Sequence, residues 1–176
     1  MRRIFISLLL AIPAAAWAQS GRINIDIPPS LAAKAAESVD VNLDGAMLRL
    51  AAKFLSDDEA EERNVREMVR KLDGIYVRNY AFEEEGAYDR SFLANIRGQL
   101  GPEWKRIVTV QSRTRDNTEI YTQPRGDAIA GLVIISAEPR ELTIVNIVGP
   151  IDLDKLASLE GQFGIPRMTK RDGKHE

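Results

Sequence analysis

Two apolar stretches in the second half of the chain constrain the fold most. Residues 132–135 and 142–148 are apolar on both faces when they are written as strands. The predicted strands that contain these stretches, 128–137 and 142–148, are joined by residues 138–141, and so short a connection predicts an antiparallel hairpin. Strands of this kind lie centrally in a sheet and are covered on both faces. Where the chain itself does not cover a face, a partner covers it.

Other segments rich in β-branched and aromatic residues predict the remaining strands. Val39, Val41 and Leu43 alternate with polar residues, as in a half-buried strand. Four strands joined by short connections then form a meander, and an earlier strand precedes them. Their predicted ranges are 75–82 for the earlier strand and 104–113, 119–123, 128–137 and 142–148 for the meander, with Pro150 ending the sheet.

Apolar residues at helical spacing predict helices between these strands. The predicted helices are 31–37, a stripe over 47–55 capped by Asp44, a helix opened by the capping box at 56–59 and closed by Gly74, one running from Asp89 to Leu100, and a last short helix carrying Leu153, Leu156 and Leu159. Helices at one end and a mostly antiparallel sheet at the other predict the α+β class.

The N-terminus is typical of a cleavable secretory signal peptide. Arg2 and Arg3 precede an apolar run that is too short to span a bilayer, and Ala16-Trp17-Ala18 fits the cleavage rule, with the cut between Ala18 and Gln19. The alternative is a retained N-terminal anchor. The predicted organisation is a signal peptide (1–18), an extended leader (19–29), a single α+β domain (30–163) and a polar flexible tail (164–176).

Composition narrows the classes of function. Removal of Arg2 and Arg3 with the signal changes the formal net charge from −2 to −4, which does not favour a nucleic-acid or anionic-membrane partner. The chain has no cysteine, so neither disulfides, thiol catalysis nor a lipid-anchored cysteine is expected. After signal cleavage we therefore expect a soluble chain without stable membrane insertion.

The chain lacks the usual catalytic motifs. Its single histidine, His175, stands next to the C-terminus, where a general base cannot be held against a nucleophile. No phosphate-binding glycine loop, dinucleotide fingerprint or Ser-x-x-Lys motif is present. We expect no catalytic residues and no cofactor.

Asp40, Asn42 and Asp44, followed by Gly45, match the first half of a calcium loop. They are weak metal candidates, because the twelfth position of the loop is Ala51 where a bidentate glutamate is needed. The competing interpretation is a strand with polar residues facing water and Asp44 capping a helix.

Three further features have an ordinary structural interpretation beside a functional one. Glu83–Glu85 with Asp89 form an acidic loop that either holds calcium or solvates a turn. Arg125-Gly126-Asp127 is an adhesive tripeptide and also common hairpin-turn chemistry. Tyr76, Tyr80 and Phe82 share one strand face, which favours a core or interface over a ligand site.

Several stretches together resemble a bacterial family, domain of unknown function 4252. They are Ile75 to Tyr80 leading into Phe82 and Glu85 to Tyr88, Ala130 to Ile135, and Glu138 to Asp152. The resemblance covers about residues 30–166. It implies an exported bacterial domain and brings no activity, substrate or catalytic residue. Members with a lipoprotein signal differ from this chain, which has no cysteine to acylate.

These observations favour a non-catalytic binding or interaction module in the periplasm or secreted space, with an envelope protein or a second copy as its partner. The alternative is a carboxylate-dependent hydrolase or a calcium-dependent module built on Asp40, Asn42 and Asp44 or on the acidic loop.

The signal peptide gives the first testable prediction. Intact-mass spectrometry of the protein from the envelope or culture fluid of the expressing bacterium should show a chain that begins near Gln19. A mass that retains residues 1–18 would show that export by cleavage is wrong.

Overall fold

The two apolar stretches form the central strands of a six-stranded antiparallel sheet in the computed structural model, which describes residues 21–55, 60–111 and 117–151. The order across the sheet is β1-β2-β6-β5-β4-β3. The α+β class, the meander from β3 to β6 and the central position of its last two strands are confirmed. The strands are β1 (Glu37–Asp44), β2 (Gly74–Ala81), β3 (Lys105–Val110), β4 (Asn117–Arg125), β5 (Ala128–Ala137) and β6 (Glu141–Ile151).

Short helices connect the strands of the first half. Asp44 accepts a 2.9 Å hydrogen bond from the Met47 amide and Asp89 accepts one of 2.8 Å from Ser91, so both predicted caps are confirmed. The helices are α1 (Pro29–Ala32), α2 (Gly45–Ala51) continued by a 3-10 turn (Ala52–Phe54), α3 (Ala60–Lys71), and α4 (Leu93–Gly98) preceded by a 3-10 turn (Arg90–Phe92). The predicted capping box and the last helix lie outside the described residues.

Three predicted boundaries are wrong. The first helix ends at Ala32, because the chain must turn before it enters β1 at Glu37. Gly74 does not cap α3 but is the buried first residue of β2. Pro150 does not end the sheet, because β6 continues to Ile151 through a bulge where Gly149 has φ +122°. Proline is tolerated at a bulge, where no ladder hydrogen bond needs its missing N–H.

One face of the sheet is sealed, and we call it the closed face. The N-terminal segment, residues 21–35, and α4 pack on it. The core on this side includes Ile23 and Ile25 from the N-terminal segment, Leu93 and Ile96 from α4, and Tyr76, Tyr80, Phe82, Val133, Ile135, Leu142, Ile144 and Val148 from the sheet and its continuation. The packed region thus extends before residue 30, where the sequence predicted an extended leader outside the domain.

Asn146 holds the N-terminal segment at the centre of the closed face. Its side chain is fully buried in β6. Its Oδ1 accepts a 3.0 Å bond from the Ile23 amide, and its Nδ2 donates to the carbonyls of Gly21 and Leu132 at 2.9 and 3.2 Å. A buried amide is costly unless it is paired, so these contacts determine where the segment crosses the sheet.

Close backbone packing accompanies this amide. A Cβ on Gly21 would lie 2.2 Å from the Ala130 carbonyl oxygen, and one on Gly131 would lie 2.5 Å from the Gly21 Cα. Gly21 also has φ +91°, a conformation that disfavours side chains. The two glycines therefore let the N-terminal segment lie directly against β5.

Replacing Asn146 tests this anchor. We expect Asn146→Ala to lower the free energy of unfolding by about 3 kcal/mol, because it leaves buried backbone groups of the N-terminal segment unpaired. Urea denaturation measures the loss. The exposed Asn95 on α4 provides the matched control, and Asn95→Ala should change stability by less than about 0.5 kcal/mol. Equal losses in the two variants, with unchanged hydrogen exchange at the Ile23 amide, would contradict the anchoring role.

Candidate functional site

The opposite face of the sheet, which we call the open face, carries a row of β-branched side chains across all six strands. The pairing register places each member directly beside the next. We call this set the valine–isoleucine row: Val41, Val77, Val145, Ile134, Ile120 and Val108. Every member is only half-buried. With strands about 4.8 Å apart, the row is about 24 Å long.

A polar row runs parallel to the valine–isoleucine row, and on each inner strand its member lies two residues from the apolar one. Its members are Asn79, Thr143, Ser136 and Thr118, all half-buried. Asn79 donates a 2.8 Å bond to the Thr143 hydroxyl, and the hydroxyls of Thr118 and Ser136 lie 3.2 Å apart. The open face is therefore amphipathic across the strands, with ordered polar groups on one side of an apolar band.

Within the described ranges, helices cover the other end of the open face. Leu48 of α2 and Leu72, which follows α3, pack with Leu132 and Ile151 in a second, smaller core. The valine–isoleucine row lies at the margin of this cover, with Ile120 and Ile134 touching it. On the helices themselves, Phe54 is 84 % exposed and Met47 and Leu50 are about half exposed. The described residues thus cover the apolar surface on this side of the molecule only in part.

The three weak calcium candidates stand on β1, not in a loop. Alternate residues of a strand are about 6.6 Å apart, so their oxygens do not converge on one point. Asp40 accepts from the Tyr80 hydroxyl at 3.1 Å and lies 3.6 Å from Arg78 Nε, while Asn42 accepts from Arg78 at 2.9 Å. Asp44 caps α2. Each of these oxygens therefore has a partner within the protein.

The other predicted candidates also take structural places. Glu83, Glu84 and Glu85 are exposed, and Glu85 lies 3.8 Å from Arg140. Within the three described ranges no group of three acidic or histidine side chains is arranged to hold a metal ion. The predicted tripeptide does form the exposed tip of the β4–β5 hairpin, where Gly126 has φ +59°. The three aromatic residues, Tyr76, Tyr80 and Phe82, are buried in the closed-face core.

The sequence missed one ionic cluster on the closed face, because its members come from α4 and β4. Arg97 donates two bonds to Glu119, at 2.9 and 3.1 Å, and the Tyr121 hydroxyl donates one of 2.7 Å. Burial raises the pKa of Glu119, but the bonds from Arg97 and Tyr121 outweigh burial, so that its pKa is lowered. Burial and the Glu119 carboxylate raise the pKa of Tyr121. The cluster ties α4 to the sheet and keeps Glu119 ionised.

Two surface depressions lie beside the N-terminal segment. One, of about 180 Å³, is lined by residues of α1 and the loop before α4, including Lys34, Asp89 and Ser91. The other, of about 510 Å³, is bordered by Lys34, Glu83 and Glu84. The first is smaller than ordinary ligand pockets, and Asp89 within it is engaged with Ser91 as a cap. The Ser91 hydroxyl donates a 2.6 Å bond to Asp89, but the bonds from the Ser91 side chain and amide lower the pKa of this carboxylate, which makes it a weak base.

The sheet, its closed face and its open face define an α+β domain. Within the described residues, no helix has the length and apolarity needed to cross a bilayer. The model of the family Domain of unknown function (DUF4252) matches residues 33–159, and the chain belongs to this family. Neither the curated proteins nor the solved structures contain a significant match to the chain. The N-terminal segment up to residue 32 lies outside the family match, although it packs into the core.

The ionic cluster gives a pH-dependent prediction. A lowered pKa in the folded state means that ionised Glu119 adds stability above the ordinary glutamate pKa of about 4.3, and that this contribution disappears as the pH falls through the folded-state value. We expect Glu119→Gln to cost about 1 kcal/mol at pH 7, since Arg97 is 42 % exposed and solvent screens the pair.

Urea denaturation at pH 7 and at pH 3 checks this expectation. The difference between wild type and Glu119→Gln should shrink at the lower pH. Glu103→Gln, which changes an exposed carboxylate before β3, serves as the control and should alter stability by less than about 0.5 kcal/mol at either pH. A loss that is the same at both pH values would show that the charge of Glu119 is not what stabilises the fold.

Proposed function

We propose that the mature chain is a non-catalytic binding module of the bacterial envelope, which holds a partner protein on its open face. The observation that carries this proposal is the valine–isoleucine row, which is half-buried in the described residues and runs in register across all six strands. Contiguous apolar surface bordered by polar groups is typical of protein-interaction sites. The signal-peptide pattern of residues 1–18 supports export to the periplasm or beyond.

The chemistry of the open face indicates the kind of partner. The apolar row lies directly beside the polar row of Asn79, Thr143, Ser136 and Thr118. An amphipathic segment of another exported protein could place its apolar side on the first row and its polar side on the second. A helix of about 16 residues has the length of the row. Such helix-on-surface recognition depends mainly on apolar anchors, with polar contacts setting the orientation.

The charged side chains support binding over catalysis. Asp40 and Glu119 both have hydrogen-bonding partners within the protein, Tyr80 for the first and Arg97 with Tyr121 for the second. Neither forms a pair of carboxylates across a common cleft, as a glycosidase needs. The hydrogen bonds of Asp40 and Glu119 therefore favour a binding surface over a catalytic site. We do not propose a hydrolase or a calcium-dependent module.

Photo-crosslinking tests the proposal. A benzophenone amino acid replaces Thr143, which borders the valine–isoleucine row and leaves it intact, and a second variant carries it at the exposed Ala94 of α4. The tagged protein is crosslinked in cells of the source bacterium. We expect position 143, and not position 94, to crosslink to another exported polypeptide, which mass spectrometry identifies.

The identified partner is then purified and its affinity measured. The variant Val77→Thr/Val145→Thr keeps β-branched side chains but exchanges two methyl groups for hydroxyls. If the partner covers these two positions, each exchange should lower the binding free energy by about 1 kcal/mol. The Kd of the double variant should therefore rise at least tenfold. The control Ile107→Thr changes a residue at the β3 bulge that is 54 % exposed, and it should leave the Kd unchanged. The proposal would be overturned if no crosslink forms, or if the crosslinks join only the chain's own residues after Ile151 or a second copy. An unchanged Kd of the double variant would also overturn it.

A further inference from the structure

The two edges of the sheet differ in how they are protected against pairing. The edge strands are β1 and β3. β3 is six residues long, carries Lys105 and Arg106, and is interrupted by a bulge between Arg106 and Val108. Short length, cationic side chains and bulges are the devices that block addition of another strand to an edge.

β1 is long and regular, because it contains no proline, lysine or arginine and pairs with β2 through all eight residues without a register shift. Its charged side chains are the acidic Glu37, Asp40 and Asp44, of which Asp40 is bound by Tyr80 and Arg78 and Asp44 caps α2. Most of its side chains are exposed, with Val39 at 53 %. A regular edge strand presents backbone N–H and C=O groups along its outer side that no neighbouring strand pairs. In β1 the Val41 carbonyl also accepts a 3.2 Å bond from Arg78 Nη1. Among residues 21–55, 60–111 and 117–151, the structure thus places no strand beside the outer side of β1.

We propose that a second copy of the chain pairs with this edge, β1 against β1, antiparallel across a two-fold axis at Val41. A two-fold contact uses the same surface on both copies, so the strand must be complementary to itself. The inference stands on β1 alone and does not require the open face to bind a partner.

The side-chain pattern of β1 selects the position of this axis. With the axis at Val41, Val41 faces the partner's Val41, Asp40 faces the partner's Asn42, and Val39 faces the partner's Leu43. Ser38 then faces the partner's Asp44. Apolar side chains are opposed to apolar ones on the open face, and no two carboxylates are opposed on the closed face, where like charges would destabilise the pair.

Neighbouring axis positions fit less well. An axis at Asp40 places that carboxylate opposite its own copy, and an axis at Asn42 places Asp40 opposite the partner's Asp44. Axes nearer the ends of β1 pair fewer residues. In the favoured register, Tyr80 and Arg78 already bind the Asp40 carboxylate within each chain, which balances its charge beside the new pair.

The register also joins the two open faces. Val41 is the outermost member of the valine–isoleucine row on the β1 side. An axis at Val41 therefore aligns the row of one protomer end to end with that of its partner, in one continuous sheet. Any other axis would set the apolar row of one copy against a different row of the next.

Single-cysteine variants test both the dimer and its register, since the natural chain contains no cysteine. Directly opposed residues of antiparallel strands have Cβ atoms about 4.5–5.5 Å apart, close to disulfide geometry. On mild oxidation of the mature protein, Val41→Cys should form a covalent dimer at least ten times faster than Val39→Cys, Leu43→Cys or the opposite-edge control Val110→Cys. Mixing Val39→Cys with Leu43→Cys should give the crosslinked heterodimer.

Light scattering of the cysteine-free mature protein over a range of concentrations gives the second measurement. We expect a dimer, a dissociation constant raised at least tenfold by Val41→Glu, and no change with Val110→Glu, which alters a residue 50 % exposed on the β3 edge. Circular dichroism verifies that each variant is folded. The proposal would be refuted if the protein is a monomer at every concentration. Equal oxidation rates at all four positions, or faster crosslinking through Val110→Cys, would refute it as well. The affinity of an open-face partner enters neither measurement, so the two proposals can fail separately.

Discussion

The buried amide of Asn146 is the interaction on which the sealed half of the molecule depends. It lies at the middle of a central strand and binds backbone groups of Gly21, Ile23 and Leu132. In a low-dielectric interior an unpaired amide would be strongly destabilising, so the segment cannot shift along the sheet without losing these bonds. Ile23 and Ile25 are thereby held in the closed-face core, which also contains the aromatic side chains of β2.

The two faces of the sheet consequently have different roles. The closed face receives the N-terminal segment and α4, and the Arg97–Glu119 pair ties α4 to β4. In the part of the chain that the structure describes, helices pack on the open face at one end of the strands, where Leu48 and Leu72 lie. A sheet with two apolar faces must bury both or leave one for another molecule. In the described chain, the second face is covered only in part.

The edges repeat this asymmetry. A bulge and two cationic residues protect β3, while β1 is regular and carries only acidic charges, of which Asp40 has partners and Asp44 caps a helix. Exposed edges are a hazard that proteins normally manage, so a regular edge with a self-complementary pattern is informative. It lies at the end of the valine–isoleucine row, so that edge and face form one continuous surface.

Local patterns were sufficient for much of the fold. Short connections determined the meander, and apolar residues on both faces identified β5 and β6 as central. The helix caps at Asp44 and Asp89 followed from residue type and spacing. The family relationship was also recognisable, because the stretch from Glu138 to Asp152 lies mostly in β6 and the hairpin before it. These features depend on residues that are close in the chain.

The candidate surface could not be read in this way. The valine–isoleucine row exists only because β6 returns to pair with β2, which brings Val77 beside Val145. In the sequence, Asn146 is one polar residue in an apolar strand, and two of its partners, Gly21 and Ile23, are more than 120 positions away. Asp40, Asn42 and Asp44 form a calcium-like motif in the sequence, yet an extended backbone separates their oxygens and Tyr80, Arg78 and the α2 amide bind them. The sequence by itself determined the strands, the caps and the class of fold, because these follow from periodicity over a few residues. Register, burial and the open face were decided by the tertiary structure alone, because they arise from pairing between segments that are distant in the chain.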